Sequence, residues 1–137
     1  MILLDASYFL ALVNEKDVHH QKAKEIAERI QKEEYGKILT TDHILDESIS
    51  VSLRKLNKEK SLILGKNIME SVPYLISHKH HLIKAWAYYE KTTENFSFTD
   101  CLSIIICLSF KIEYIATFDK AFHNIQSIKV IGIPTQN

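Results

Sequence analysis

The chain has 137 residues, a length that suits one domain with a sizeable hydrophobic core. Hydrophobic residues make up 46% and charged residues 25% of it, a composition typical of globular proteins and not of disordered ones. Lys plus Arg and Asp plus Glu both number 17, so the net charge is zero and no global basic field indicates nucleic-acid binding.

The chain shows neither a signal peptide nor a membrane span. It opens "MILLDAS", without a basic stretch, and no apolar run approaches the roughly 18 residues that a spanning helix needs. Its two cysteines, Cys101 and Cys107, lie six residues apart in one apolar run, where buried reduced thiols are expected. We therefore expect a cytoplasmic protein that has no contact with membranes.

Short apolar runs alternate with helical patterns along the whole chain. The runs predict strands at residues 2–4, 37–41, 73–77, 113–117 and 128–133. The helical patterns lie at residues 7–14, 17–34, 42–56, 58–71, 80–92 and 98–110. The helix at 98–110 is apolar on every side, so we expect it to be central and buried.

This alternation predicts a single α/β domain, residues 1–137, with a parallel five-stranded sheet covered by helices on both faces. The right-handed crossover rule leaves few topologies, and strand order 3-2-1-4-5 is the one we expect. In that order the topological switch point, where open α/β sheets bind ligands, lies between the carboxyl ends of strands 1 and 4.

Four acidic residues are candidates for a site at this switch point. Asp5 ends strand 1 and Asp119 follows strand 4, although each can also be a helix cap. Asp100 can be the acidic partner of a capping box that starts at Ser97, a role compatible with metal binding. The fourth candidate, Glu47, lies on the 42–56 helix and taken alone reads as a surface glutamate.

The pattern of the 42–56 helix favours a different interpretation of Glu47. The main apolar stripe consists of Leu45, Ile49, Leu53 and Leu56. Glu47 lies nearly opposite that stripe, but its neighbours one turn away, Ile44 and Val51, are both apolar. This second, smaller stripe predicts a helix that is contacted on two sides.

Several carboxylates in one crevice repel one another, which proteins tolerate mainly through a bound divalent cation or shared protons. A set of oxygen ligands without Cys or His favours Mg²⁺ or Mn²⁺ over Zn²⁺. Such ions suit phosphodiester hydrolysis, because they activate a water and stabilise charge on the attacking and leaving oxygens.

Four motifs in order, "MILLDAS", "LDES", "SFTDCLSIII" and "YIATFDKAF", resemble the pattern of PIN domains, most closely that of VapC-like toxin ribonucleases. The resemblance implies a Rossmann-like α/β/α sandwich and a metal-dependent endoribonuclease that forms a homodimer and is blocked by a cognate antitoxin protein. It maps the acidic, metal-binding and catalytic site onto Asp5, Glu47, Asp100 and Asp119. It also maps two supporting hydroxyls onto Ser7 and Thr117. Many members carry a further acid where this chain has Ala121, which leaves a second metal in doubt.

Other polar and aromatic clusters have less specific interpretations. The basic stretch after the Glu47 helix, above all Arg54 and Lys55, is a candidate RNA contact or a solvated helix junction. Two histidine clusters, at 19–20 and 78–81, read as solvated. Trp86, Tyr88 and Tyr89 are expected in a core or dimer contact, with base stacking as the alternative.

Two rival functions remain open from the sequence. One is a nuclease of RNA maturation or decay that has no antitoxin. The other is a non-catalytic module with an acidic pocket, such as a receiver-like regulatory domain. We disfavour the receiver because its acids are paired early in the chain, whereas here three of the four come later.

Overall fold

The structure is a computed structural model that describes residues 1–134. Its strands are β1 (Ile2–Leu4), β2 (Ile38–Thr41), β3 (Tyr74–Leu75), β4 (Tyr114–Ala116) and β5 (Lys129–Ile131). Its α-helices are α1 (Ala6–Val13), α2 (His20–Gln31), α3 (Asp42–Lys55), α4 (Lys58–Ser71), α5 (Lys79–Lys91) and α6 (Phe98–Ser109). A short 3₁₀ helix, Lys120–Asn124, follows β4.

The five strands form one parallel sheet in the order β3-β2-β1-β4-β5, which confirms the predicted topology. Leu4, the last residue of β1, pairs with Ala116, the last residue of β4. The residues that follow, Asp5 and Thr117, therefore leave the sheet side by side. This register brings the first and last acidic motifs to one edge of the sheet.

The helices divide into two groups that cover the sheet. α1 packs against α2, α3 and α4, while α5 packs against α6. Because the connections move from β1 to β3 and then back to β4, right-handed crossovers put these two groups on opposite faces. The three layers confirm the predicted α/β/α sandwich.

The core lies between β1, β4 and α6. Every residue of β1 is buried, and so are seven of the twelve residues of α6, which confirms the central position predicted for this helix. Cys101 and Cys107 are buried and unbridged, also as predicted. Within residues 1–134 no helix combines the length and apolarity needed to cross a membrane.

The orientation of α3 differs from the expectation. Its fully buried residues are Ile44, Ser48 and Ser52, whereas Leu53 from the predicted main stripe is 46% exposed. Ile49 from the same stripe lies against Gly65 of α4. The predicted main stripe is thus divided: Leu45 packs against the core and Ile49 against α4, while the small side chains of Ser48 and Ser52 are more deeply buried than either. The helix packs against both α1 and α4, so the expected contact on two sides is confirmed.

Two element boundaries also differ from the predicted ones for local reasons. α2 begins at His20 instead of residue 17, because the Asp17 carboxylate accepts the His19 N–H at 2.8 Å and holds a turn. β3 has two residues instead of five. After it, Ser77 donates its N–H and its hydroxyl to the Asp42 carboxylate, which turns the chain into α5.

Candidate active site

Asp5 lies at the junction of β1 and α1 and is only 5% exposed. Its N–H donates to the Ala116 carbonyl at 3.0 Å, which ties it to the end of β4. Its side chain makes no capping bond to α1; instead, Oδ2 accepts the Thr117 hydroxyl at 2.7 Å and the Ser7 hydroxyl at 3.1 Å. The cap interpretation of Asp5 was therefore wrong for its side chain.

The two hydroxyls form the centre of a network that reaches the last acidic motif. Ser7 Oγ and Thr117 Oγ1 lie 3.1 Å apart. Ser7 Oγ accepts the Phe118 N–H at 2.9 Å, and Thr117 Oγ1 accepts the Asp119 N–H at 3.1 Å. Thr117 is fully buried, so its bond to Asp5 is shielded from water, while the other bonds of the network are partly buried. The network fixes the backbone of 117–119 against the Asp5 carboxylate.

Asp119 is half-buried and also has a local structural role. Its Oδ1 accepts the Ala121 N–H at 2.9 Å, which caps the 3₁₀ helix. The capping alternative is thus observed for Asp119, but it occupies one carboxylate oxygen and remains compatible with a second role for the group.

Asp100 is 7% exposed at the start of α6, where it completes the predicted capping box. Its Oδ2 accepts the Ser97 N–H at 2.9 Å, and its own N–H donates to Ser97 Oγ at 3.1 Å. The box explains how a carboxylate is held at this buried helix terminus. It does not neutralise the charge, since both partners are uncharged.

Glu47 is half-buried on α3, and Arg54, two turns further along the same helix, is exposed. Burial raises the pKa of Glu47 above its ordinary value; the charges of Asp5 and Asp119 raise it further, and Arg54 partly opposes them. Glu47 therefore shares an electrostatic environment with acids from β1 and β4, which a solvated surface glutamate would not.

The same coupling connects the other acids. Burial raises the pKa of Asp5, and Asp119 adds to the shift although the hydroxyls of Thr117 and Ser7 oppose it. Burial raises the pKa of Asp100 to about 7, with further contributions from the charges of Asp5 and Asp119. The charges of Asp5 and Asp119, at the shared carboxyl end of β1 and β4, thus act on both Glu47 and Asp100.

A divalent cation fits this donor set by its chemistry. All the donors are carboxylate oxygens, the ligands that Mg²⁺ and Mn²⁺ prefer, and a cation stabilises the charged forms of Glu47 and Asp100, which burial and neighbouring acids disfavour. Within residues 1–134, however, no three Asp, Glu, His or Cys side chains are grouped closely enough to hold a metal ion as they stand. A bound ion therefore requires side-chain adjustment of these acids.

Lys55, at the end of α3, lines two adjoining cavities beside Ser7 and Phe118. Sequence reasoning missed the neighbours that form this cleft, among them the stacked rings of His19 and Phe118. No local pattern could have found that pair, because its members belong to distant segments. Gly132 was missed too: its φ of 128° and its contact with the Thr117 carbonyl leave no room for a side chain.

The histidine clusters are less solvated than predicted. His81 is 4% exposed, and its Nδ1 accepts the His78 N–H at 3.2 Å, so it is part of the cap of α5. His19 and His20 are half-buried, the latter with Nδ1 at 2.7 Å from the Ala11 carbonyl oxygen. Only His78 and His80 are exposed as expected.

The aromatic residues of α5 lie mostly at the surface. Trp86 and Tyr89 are 55% and 43% exposed, so the core interpretation is wrong for both, while Tyr88 is half-buried. The rings of Trp86 and Tyr89 contact Phe98 at the start of α6. The dimer contact and the base-stacking alternative remain predictions.

Comparison with known proteins gives consistent relationships. The sequence pattern of the PIN domain matches residues 2–127. A VapC ribonuclease of Archaeoglobus fulgidus is 28% identical over 138 aligned positions, which cover 95% of this chain and 81% of that protein.

Solved structures share the fold. VapC20 of Mycobacterium tuberculosis, described as a toxin that cleaves the sarcin-ricin loop, superposes with a TM-score of 0.79 at 22% identity and covers 89% of this chain and 92% of its own. The DNA-bound VapBC of Salmonella typhimurium has a TM-score of 0.67 at 17% identity, with 94% and 95% covered. FitAcB of Neisseria gonorrhoeae has a TM-score of 0.64 at 13% identity, with 96% of both chains covered. With nearly its whole length matched by the family pattern, this chain belongs to the PIN domain family.

Proposed function

We propose that this protein is a VapC-like endoribonuclease that depends on Mg²⁺ or Mn²⁺ and acts as the toxin of a toxin–antitoxin pair. The observation that carries the proposal is that Asp5 and Asp119 meet at the paired carboxyl ends of β1 and β4, where Thr117 donates to the Asp5 carboxylate and accepts the Asp119 N–H. The charges of these two acids raise the pKa values of Glu47 and Asp100, which supports a shared site. The PIN domain match and the VapC ribonuclease relative support the same activity.

In this proposal the four carboxylates hold the ion, which when bound supplies an activated water and stabilises charge on the phosphodiester. The protein's own contribution is positioning. The hydroxyls of Ser7 and Thr117 orient the Asp5 carboxylate, and the capping box orients Asp100. Carboxylates bind a cation in their deprotonated forms. Because burial favours the protonated forms of these acids, cation binding here should depend on pH.

RNA is the proposed substrate, and no side chain is needed as a nucleophile. The overall charge is zero, so local cations must attract the phosphate backbone. Arg54 lies close enough to Glu47 to lower its pKa, and Lys55 lines the cleft beside Ser7, which supports the predicted contact of both residues with RNA.

The antitoxin partner, the homodimer and the cytoplasmic location are further parts of the proposal, as is a single domain that covers residues 1–137. The structural similarity to VapBC and FitAcB supports a protein partner. The two buried, unbridged cysteines agree with a reducing compartment. Sedimentation of the purified chain alone, and then together with the product of a neighbouring gene, measures both kinds of assembly.

The test is cleavage of single-stranded RNA with and without metal. We expect internal cleavage with Mn²⁺ or Mg²⁺, none with EDTA, and none by Asp5→Asn with either ion. Thermal melts provide a readout independent of activity, because a specifically bound ion raises the melting temperature of the parent and much less that of Asp5→Asn. A parent that neither cleaves RNA nor responds to Mn²⁺ contradicts the proposal.

A further inference from the structure

A cleft adjoins the candidate active site on the side of α1. It consists of two cavities of about 170 and 440 Å³, which share Asn14, Lys55 and Leu56 in their walls and therefore adjoin. The smaller cavity reaches Ser7, whose hydroxyl bonds to Asp5. The larger one extends away from the acids towards Lys16 and Lys60. The cleft thus begins beside a residue that bonds to Asp5, although none of the four acids lines it.

One wall of the smaller cavity is aromatic. The His19 and Phe118 rings stack in parallel, with centroids 4.5 Å apart and an interplanar angle of 1°. Phe118 is fixed to the acidic site, because its N–H donates to Ser7 Oγ and the next residue is Asp119. His19 is fixed by its N–H bond to Asp17. Both rings line the smaller cavity, and the half-buried His19 imidazole is the more accessible of the two.

The cleft also carries cationic side chains. Three lysines line the cleft, Lys16, Lys55 and Lys60, against two acids, Glu15 and Asp17. The Asp17 carboxylate already accepts the His19 N–H. Lys55 lines both cavities, so it lies where the cleft passes from the aromatic wall to its outer part. A stacked aromatic pair and a cation in one cavity, beside the proposed nuclease site, match the two parts of one nucleotide, a base and a phosphate.

We propose that this cleft binds the nucleotide of the substrate RNA next to the scissile bond, with its base stacked against the His19–Phe118 pair and its phosphate contacted by Lys55. The inference rests on the proposed nuclease function and narrows its substrate to single-stranded or looped RNA, since a paired base cannot reach such a wall. The contact is tolerant of base identity, because every base has a stacking face.

The experiment measures binding of a labelled, short single-stranded RNA by fluorescence anisotropy in EDTA, where no cleavage occurs. Abasic nucleotides replace each position in turn. In the parent, one abasic position should weaken binding about fivefold or more. In His19→Ala the intact RNA should bind that much more weakly, and the same abasic position should cost little more. His19→Phe keeps a planar ring on Phe118 and should restore the dependence on the base.

Lys55→Gln tests the phosphate contact. It should weaken binding of every RNA by a similar factor and reduce the slope of log affinity against log salt by about one. His80→Ala and Lys79→Gln are matched controls, because the start of α5 lies near Phe110, at the end of α6 far from Asp100. Both controls should bind as the parent does.

The outcomes separate this inference from the proposed function. If the parent cleaves RNA with Mn²⁺ but His19→Ala and Lys55→Gln keep parental affinity and KM, the inference is overturned and the nuclease stands. If the parent binds RNA in the predicted His19-dependent way but cleaves none, the binding subsite stands and the nuclease falls. A parent that binds no RNA overturns the inference.

Discussion

Asp5 and Asp100 are both buried carboxylates at the start of a helix, but the protein holds them in opposite ways. The Asp5 carboxylate accepts hydrogen bonds from the hydroxyls of Ser7 and of Thr117, the latter 112 residues away, and makes no capping bond. Asp100 accepts the N–H of Ser97, three residues away, in a capping box. One acid is fixed by tertiary contacts and the other by local ones.

This difference predicts which acids of the site are displaced together when the structure around them is disrupted. Disruption of β4 or of the turn after it should displace Asp5 and Asp119, because their network passes through Thr117. Asp100 should remain in place, since its orientation depends on α6 alone. If both acids bind the same ion, however, catalysis should depend equally on each.

The largest effect is expected from removal of either charge. Asp5→Asn and Asp100→Asn should each lower RNA cleavage with Mn²⁺ by about a thousandfold or more, because a lost ligand removes water activation and charge stabilisation together. Initial rates on single-stranded RNA measure the effect, with His80→Ala as the unaffected control. A variant of either acid that keeps a tenth of the parental rate would exclude that acid as a ligand.

Gly132→Ala should damage the Asp5 half of the site by a backbone effect. Gly132 has a φ of 128°, and a Cβ there would collide with the Thr117 carbonyl oxygen and approach the Phe118 ring to 3.1 Å. We expect a loss of about 2 kcal/mol or more in the free energy of unfolding, measured by urea denaturation.

Gly36→Ala is the matched control. It also has a positive φ, 75°, but the nearest atom to its Cβ would be Met1 N at 3.4 Å. It should therefore cost less than Gly132→Ala, on the order of 1 kcal/mol. Equal losses for both variants would show that the contact with Thr117 is unimportant.

Thr117→Val and Ser97→Ala compare the tertiary and the local support directly. Thr117→Val removes the donor to Asp5 and the acceptor of the Asp119 N–H in a fully buried setting, so it should cost about 1–3 kcal/mol. Ser97→Ala removes one helix cap and should cost about 1 kcal/mol. A double-mutant cycle should show coupling of Thr117→Val with Asp5→Asn and none with Asp100→Asn.

A further prediction concerns pH. Burial and the charges of Asp5 and Asp119 raise the pKa of Asp100 to about 7, so the folded protein binds this proton more tightly than the unfolded chain does. The metal-free parent should therefore lose stability as pH rises from about 4 to about 7, at up to about 1.4 kcal/mol per pH unit.

Asp100→Asn should remove this dependence. It keeps an acceptor oxygen for the Ser97 N–H while it lacks the charge, so near pH 7 the metal-free variant should be as stable as the parent or more stable. Thermal melts in EDTA across this pH range measure both. A variant that is less stable at pH 7, with an unchanged pH slope, would mean that Asp100 serves the capping box alone.

The strand order, the capping box and the family could all be predicted from the amino-acid sequence, because their signals are local or accumulate along the chain. The alternation of apolar runs and helical patterns, with the crossover rule, was enough for the strand order. The capping box at Ser97 and Asp100 is encoded within four residues and was predicted correctly. The ordered motifs were enough for the family.

The contacts of each acid and the buried face of each helix became known only from the folded structure. A helical wheel cannot tell which of two apolar stripes meets the core, so the interior position of Ser48 and Ser52 on α3 was missed. The Asp5 carboxylate accepts a hydrogen bond from the distant Thr117 hydroxyl and does not cap the adjacent helix, because the register of β1 and β4 places Thr117 beside it. The His19–Phe118 stack likewise joins segments that share no local pattern, and such pairs exist only once the sheet has brought their segments together.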